Sequence, residues 1–298
     1  MVYKNKGLDM KKIVFLLFLM FVGLSAQESR EDLYANISLD DEHNITKATI
    51  KQYVTSSFNV SAHQANYFLP VSYRFKDDYY DVVNHNYNDP PQQLETEFQV
   101  SIKFDVASNI FGLDEIYTVA YTQKSFWQLY TASSAYFRES NYNPEFFITF
   151  PLRVSQDTSG LRGMRIGAAH QSNGQGGIYE RSWNYFYSDF YAQLGFIFVD
   201  LKLWYSPYGS REKYNPDLLD YLGNGHLRFV IPYKKNILET TFMSAFNGHS
   251  SAEVHYTHPV YGRDDLFVYV KGFMGYGESL IDYQTNVSKL GIGFSISR

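Results

Sequence analysis

In the stretch FQVSIKFDV, apolar side chains fall on every second position: Phe98, Val100, Ile102, Phe104 and Val106. Gln99, Ser101, Lys103 and Asp105 sit between them. Alternation of this kind sends successive side chains to opposite faces and predicts a strand with one apolar and one polar side. The pattern returns in EFFITFPLRV, where Phe146, Ile148, Phe150, Leu152 and Val154 share a face, and in LFVYVKGFM. It closes the chain as well, with Leu290, Ile292, Phe294 and Ile296 alternating with Gly and Ser. Twelve such segments are found, at about 65–77, 95–107, 114–127, 145–155, 161–172, 183–193, 196–208, 219–233, 236–247, 250–258, 265–276 and 286–298. Strands in soluble sandwiches usually run to about 5–6 residues. Many here reach ten or more, matching the roughly 9–11 needed to cross a bilayer at a tilt.

An even number of strands suits a closed antiparallel cylinder, which leaves no backbone edge unpaired in lipid. The expected fold is therefore all-β, a 12-stranded antiparallel transmembrane β-barrel of the outer-membrane type. Linkers after the first, third, fifth, seventh and eleventh segments are long, whereas those after the second, fourth, sixth and eighth are mostly shorter. The short link after the ninth breaks the alternation. Long loops belong outside the cell and short turns in the periplasm, so the loop from Asn173 to Ser182 is expected on the external side.

Composition sharpens this reading. Aromatic residues make up 18% of the chain, with 27 Tyr and 24 Phe, yet mean hydropathy is only −0.32. Past the N-terminus no long apolar run exists, so a bundle of membrane helices is excluded, while aromatic belts at both interfaces of a barrel account for the load. Lys4, Lys6, Lys11 and Lys12 precede the apolar run IVFLLFLMFVGL, and Leu24-Ser25-Ala26 offers a small residue for cleavage. Residues 1–26 are expected to be a secretory signal peptide, because the run falls short of the roughly 20 residues of a spanning helix. Residues 27–64 are polar and weakly periodic, which predicts a periplasmic lead-in, followed by the barrel domain over 65–298. A net charge of −5 gives no reason to expect a nucleic-acid partner, and the absence of cysteine excludes a disulfide scaffold. The chain ends in Ser297-Arg298, with Phe294 as the nearest aromatic residue.

Candidate chemistry lies in AAHQSNGQGGIYERSWN, residues 168–184. Met164, Ile166, Ala168, His170 and Ser172 share one parity, and Arg165, Gly167, Ala169 and Gln171 the other. Across the following loop, Asn184, Phe186, Ser188 and Phe190 oppose Tyr185, Tyr187, Asp189 and Tyr191. A hairpin pairing 170 with 184 would place His170, Ser172 and Asn184 together on the lipid face. Histidine can take the proton of a serine nucleophile near neutral pH, and a third group can fix the ring. His-x-Ser by itself also fits two polar residues at a wet rim.

The chain resembles the outer-membrane phospholipase A family of Gram-negative bacteria. The resemblance covers YTQKSFWQLY (121–130), FRESNYNPE (137–145), HQSNGQGGIYERSWN (170–184), LWY (203–205) and GYGESLIDY (275–283), in that order. It implies calcium-dependent hydrolysis of phospholipid acyl esters, at sn-1 and sn-2 and in lysophospholipids, by an enzyme active as a homodimer in the outer membrane. His170 matches the general base, Ser172 the nucleophile, Asn184 the residue orienting the histidine, and Gly174 the backbone donor to the oxyanion. For calcium the resemblance implies the main-chain carbonyl of Gln175, Glu180 where the family usually has serine, and a serine from the second subunit that maps to Ser134. Gln123 matches a glutamine at the dimer interface, and Trp127, with Phe126, fits an acyl-chain groove. The competing expectation is a non-catalytic outer-membrane barrel, a small porin or structural protein.

Overall fold

A computed structural model of the chain describes residues 60–75, 91–132, 135–152, 159–207, 214–261, 263 and 265–297. The expected signal peptide and most of the lead-in lie outside the described residues, as does Ser134. The strands are β1 (Ser61–Ala62), β2 (Tyr67–Arg74), β3 (Leu94–Ser108), β4 (Ile116–Gln128), β5 (Tyr136–Pro151), β6 (Ser159–Ser172) and β7 (Ser182–Leu194). They continue with β8 (Ile197–Tyr205), β9 (Gly225–Tyr233), β10 (Asn236–Ser244), β11 (Ser250–Pro259), β12 (Phe267–Gly275) and β13 (Val287–Ser295). From β2 onward each strand pairs antiparallel with its neighbours, and β13 returns to β2, closing a 12-stranded barrel. The short β1 adds to β3, with Ser61 opposite Lys103 and Ala62 opposite Ile102, so pairing starts four residues before the expected start of the barrel.

The barrel is inside-out relative to a soluble domain, as a lipid solvent requires. Phe104, Val119, Phe146, Ile166, Phe186, Leu201, Ile292 and Phe294 are exposed on the outer wall. Glu95, Glu97, Lys103, Arg138, Arg165, Asp189, Lys271 and Lys289 are buried in the lumen. Lumen charges answer one another: Arg138 meets Glu95 at 3.0 Å and Asp282 at 2.9 Å, while Lys289 meets Glu95 at 2.6 Å and Glu278 at 2.9 Å.

Two segments depart from the expected pattern. Strand β5 begins at Tyr136 rather than near 145. Its first half, FRESNYN, is polar because a bulge, where Phe126 faces Glu139 and Trp127 faces Phe137, turns both Arg138 and Glu139 into the lumen. The expected strand at 219–233 begins only at Gly225; Leu218–Leu222 is instead a short helix, α1. Leu218 and Leu222 are spaced by one helical turn and both are buried. Gly223 ends the helix at φ +71°, where a Cβ would lie 2.2 Å from the Ser244 carbonyl oxygen, so only glycine fits.

The two ends of the barrel differ. One has the two-residue turns Gly195–Phe196 and Lys234–Lys235, and there the residues leading into β2 meet those following β13. Asn66 ties this seam: its backbone N–H donates to the Ser297 hydroxyl at 2.7 Å, its side-chain amide donates to the Ser101 carbonyl at 3.0 Å, and its Oδ1 accepts from the Ser101 N–H. The opposite end carries the loops 173–181 and 276–286 and the segment 214–224. Here Leu218, Leu222, Leu280 and Tyr283 pack on Trp183 and Trp204, and the Leu280 and Ile281 N–H groups donate to Asn141 and Glu139. The described loop residues thus pack into this mouth. Arg138→Leu, which strips a guanidinium from two buried carboxylates, is expected to cost about 3–5 kcal/mol, read as a lowered denaturation midpoint in lipid vesicles. Ile292→Leu on the outer wall should cost less than about 1.5 kcal/mol.

Candidate active site

The hairpin β6–β7 pairs His170 with Asn184 and Ser172 with Ser182. Directly opposed side chains on one face lie close enough to bond, and the His170 Nδ1 stands 2.8 Å from Asn184 Oδ1. An amide oxygen can only accept, so Nδ1 carries the proton and Nε2 is left as the acceptor. Ser172 follows on the same outward face, half-buried, and its hydroxyl makes no hydrogen bond to the described residues. The structure therefore joins His170 to Asn184 and leaves Ser172 beside them, unbonded; such contacts in substrate-free sites commonly tighten when substrate binds. On the opposite face of the hairpin, the Trp183 indole N–H donates to Gln171 Oε1 at 2.9 Å. The parity expected from the sequence holds on both strands, and the pair faces lipid rather than lumen.

The loop after Ser172 is held shut at its base by Asn173, which is buried. Its backbone N–H donates to the Arg181 carbonyl at 3.0 Å. Its Oδ1 accepts from the N–H groups of Gln175 and Arg181, while Nδ2 donates to the Tyr179 carbonyl at 2.9 Å. Arg181 adds a second tie, its guanidinium donating to the carbonyls of Ile178 and Glu180. Neither residue was singled out by the sequence pattern, although Asn173 sits inside the quoted motif. An asparagine at a strand end, able to satisfy several loop groups at once, was the available signal.

Gly174 leaves the strand at φ +67°, and an added Cβ would lie 2.9 Å from the Tyr142 ring. Conformation and space both demand glycine. Its N–H makes no hydrogen bond to the described residues and remains available to a ligand. Gln175 is exposed, and Glu180 is half-buried with no partner for its carboxylate among the described residues. No cluster of three or more His, Cys, Asp or Glu suited to a metal occurs among the described residues. The donors expected here are a carbonyl, one carboxylate and a serine hydroxyl, a set such a cluster does not represent.

The remaining expectations separate. Gln123 lies on the outer face; its Oε1 accepts from the Tyr121 hydroxyl at 3.2 Å and its Nε2 donates to Ser125 at 3.1 Å. Trp127 also faces outward, stacked on Phe137 with ring centroids 5.5 Å apart, and Phe98 meets Phe137 edge-on. Phe126 does not join this groove. It is buried in the lumen beneath Arg138 and Lys289, whose charged groups lie 4.7 and 4.4 Å from its ring centre. One residue of separation along a strand reverses the face.

The sequence profile of the family described as Phospholipase A1 matches residues 43–296. The Phospholipase A1 of Proteus vulgaris is 32% identical over 254 residues, spanning 84% of this chain and 86% of the relative. That of Salmonella typhimurium is 34% identical over 218 residues, spanning 72% of this chain and 74% of the relative. Among solved structures, the Salmonella typhi outer membrane phospholipase, a dimer with bound calcium, superposes with a TM-score of 0.76 at 30% identity, covering 83% of this chain and 96% of that one. An active-site Asn-to-Ala mutant of the Escherichia coli outer membrane phospholipase A gives 0.74 at 29% identity, covering 81% and 93%. With matches of sequence and backbone running around the whole cylinder, the chain belongs to the phospholipase A1 family and is an outer-membrane phospholipase.

Proposed function

We propose that the chain hydrolyses phospholipid acyl esters by a Ser172–His170–Asn184 triad on the bilayer-facing wall, near the cell-exterior rim, with calcium and a second copy of the chain. The observation that carries this reading is the 2.8 Å bond between His170 Nδ1 and Asn184 Oδ1 on the outward face, two residues from a serine on that face. The Escherichia coli neighbour supports it in kind, since its active site includes an asparagine. The external placement is supported by the loops 173–181 and 276–286 and the segment 214–224 at the same end as the site, opposite the two-residue turns. A small porin needs a water-filled lumen; the buried, mutually paired charges that fill this one argue against it.

In the reaction, Ser172 Oγ attacks the ester carbonyl carbon and passes its proton to His170 Nε2. Asn184 keeps the ring in the tautomer that can receive it. The Gly174 N–H donates to the oxygen on which negative charge gathers, an interaction stronger in the transition state than before it. His170 returns the proton to the departing glycerol oxygen, leaving an acyl group on Ser172. Water then attacks the acyl carbon, giving its proton to His170, and Ser172 leaves with that proton as the fatty acid departs.

Asparagine brings no negative charge to balance the imidazolium, so a nearby cation that stabilises the oxyanion has more to offer here. Calcium takes hard oxygen ligands, and the donor set fits: the carbonyl of the exposed Gln175 and the Glu180 carboxylate, unpaired among the described residues, which Ser134 of a second copy would join. Gly176 and Gly177 face open space, so the loop presents these oxygens without obstruction. A calcium ion held by these oxygens would supply positive charge to stabilise the oxyanion. In the same assembly Gln123, with one amide N–H and one lone pair still unused, meets its counterpart, and Trp127 with Phe137 borders an acyl chain.

Ser172→Ala is expected to reduce fatty-acid release from phospholipid micelles containing calcium by at least about 1,000-fold, with Asn184→Ala losing less; activity retained in Ser172→Ala ends the proposal. Replacing Glu180 by Ser should raise the calcium concentration for half-maximal activity about tenfold, or ~1.4 kcal/mol. Calorimetric calcium titration checks the same shift without turnover, and an unchanged affinity removes Glu180 from the site.

A further inference from the structure

Two prolines flank the His170–Asn184 pair, Pro144 on β5 and Pro207 two residues past the end of β8. The β5–β6 register pairs Tyr142 with Ser172 and Glu145 with Ala169, which sets Pro144 opposite His170. Proline has no N–H to give the ladder. Asn143 takes its place: Nδ2 donates to the His170 carbonyl oxygen at 2.9 Å. The amide is itself oriented, because its Oδ1 accepts from the Tyr185 hydroxyl at 3.2 Å, and Tyr185 is buried in the lumen wall.

The same device recurs on the other side. The β7–β8 ladder ends with Phe186 opposite Tyr205, and continuing that register by two residues brings Pro207 opposite Asn184. Here the Ser206 hydroxyl donates to the Asn184 carbonyl at 2.9 Å. Each time, a polar residue followed by proline holds by its side chain a carbonyl that an N–H in the ladder would otherwise hold. In a wall that faces hydrocarbon, a carbonyl left without a partner loosens the strand or draws in water. Both carbonyls belong to the two residues whose side chains must keep one mutual geometry.

We propose that Asn143 and Ser206 are positioning residues that brace the backbones of His170 and Asn184, taking over hydrogen bonds that Pro144 and Pro207 cannot make. The inference rests on the triad reading above. A regular ladder would fix the carbonyls equally well, so the brace matters because the prolines have removed that option. This gives the idea its sharpest test, since restoring the ladder N–H should make the brace dispensable.

Steady-state hydrolysis and the rate of Ser172 labelling by a fluorophosphonate are to be measured on the full-length protein in calcium-containing micelles. Asn143→Ala is expected to lower kcat about 10- to 100-fold, the scale of a small misplacement of catalytic groups. KM and the gel mobility of the unboiled, folded barrel should not change. Asn143→Ala combined with Pro144→Ala should recover most of the lost kcat, because alanine supplies the N–H. Ser206→Ala should slow labelling independently. Wild-type kcat in Asn143→Ala, or a loss that Pro144→Ala does not repair, overturns the inference. Should Asn143→Ala not fold, Tyr185→Phe, which removes only the hydroxyl that orients the amide, must lower kcat, and wild-type kcat there overturns it equally. Failure of the wild type to label at Ser172 sinks the triad reading itself; normal labelling with no change in the variants sinks the brace alone.

Discussion

A backbone N–H or C=O that faces hydrocarbon has no water to turn to, and most of this structure follows from that shortage. It requires closure, which the β2–β13 pairing provides. It also explains the care taken at the seam, where Asn66 bonds to Ser297 and to both backbone groups of Ser101. Where the ladder is interrupted beside the His–Asn pair, side chains take over its hydrogen bonds. At these two carbonyls polar satisfaction is kept although the ladder is not.

Lipid outside forces the polar residues inward, and they must then neutralise one another in a space with little water. The lumen meets this by interleaving signs: Glu95 between Arg138 and Lys289, and Asp282 between Arg74 and Arg138. Burial alone would raise the Asp282 carboxyl, but the Arg138 and Arg74 guanidiniums outweigh it and hold it below the usual carboxylate range. Asp282 belongs to the 276–286 loop, so these ion pairs also anchor the segment that fills the long-loop mouth. Electrostatics of the interior and closure of the cylinder are one arrangement.

Strand type, strand number and facing were legible because alternation survives wherever one face meets lipid. The outward set Met164, Ile166, Ala168, His170 and Ser172 could be read directly from parity. Legibility failed where the lipid face is short or interrupted. The first half of β5 is a run of polar residues, since a bulge at Arg138 and Glu139 spends two consecutive side chains on the lumen. Leu218 and Leu222 extend an apolar pattern into the next strand although they cap the mouth as a helical turn. Phe126 and Trp127 are adjacent aromatics that only the exact parity of β4 divides between lumen and lipid. Asn143 and Ser206 were invisible for another reason: their bonds run to main-chain atoms of the adjacent strand, and no side-chain pattern records those.

The outward facing of the site has a consequence for traffic. Leu218, Leu222, Leu280 and Tyr283 pack within the long-loop mouth, whereas His170 and Asn184 bond to each other on the outer wall. On the proposed triad reading, lipid would meet the His170–Asn184 pair by two-dimensional collision in the plane of the leaflet. Turnover on such a surface responds to the mole fraction of accessible lipid in that leaflet, not to its bulk concentration, so membrane asymmetry itself becomes the substrate supply.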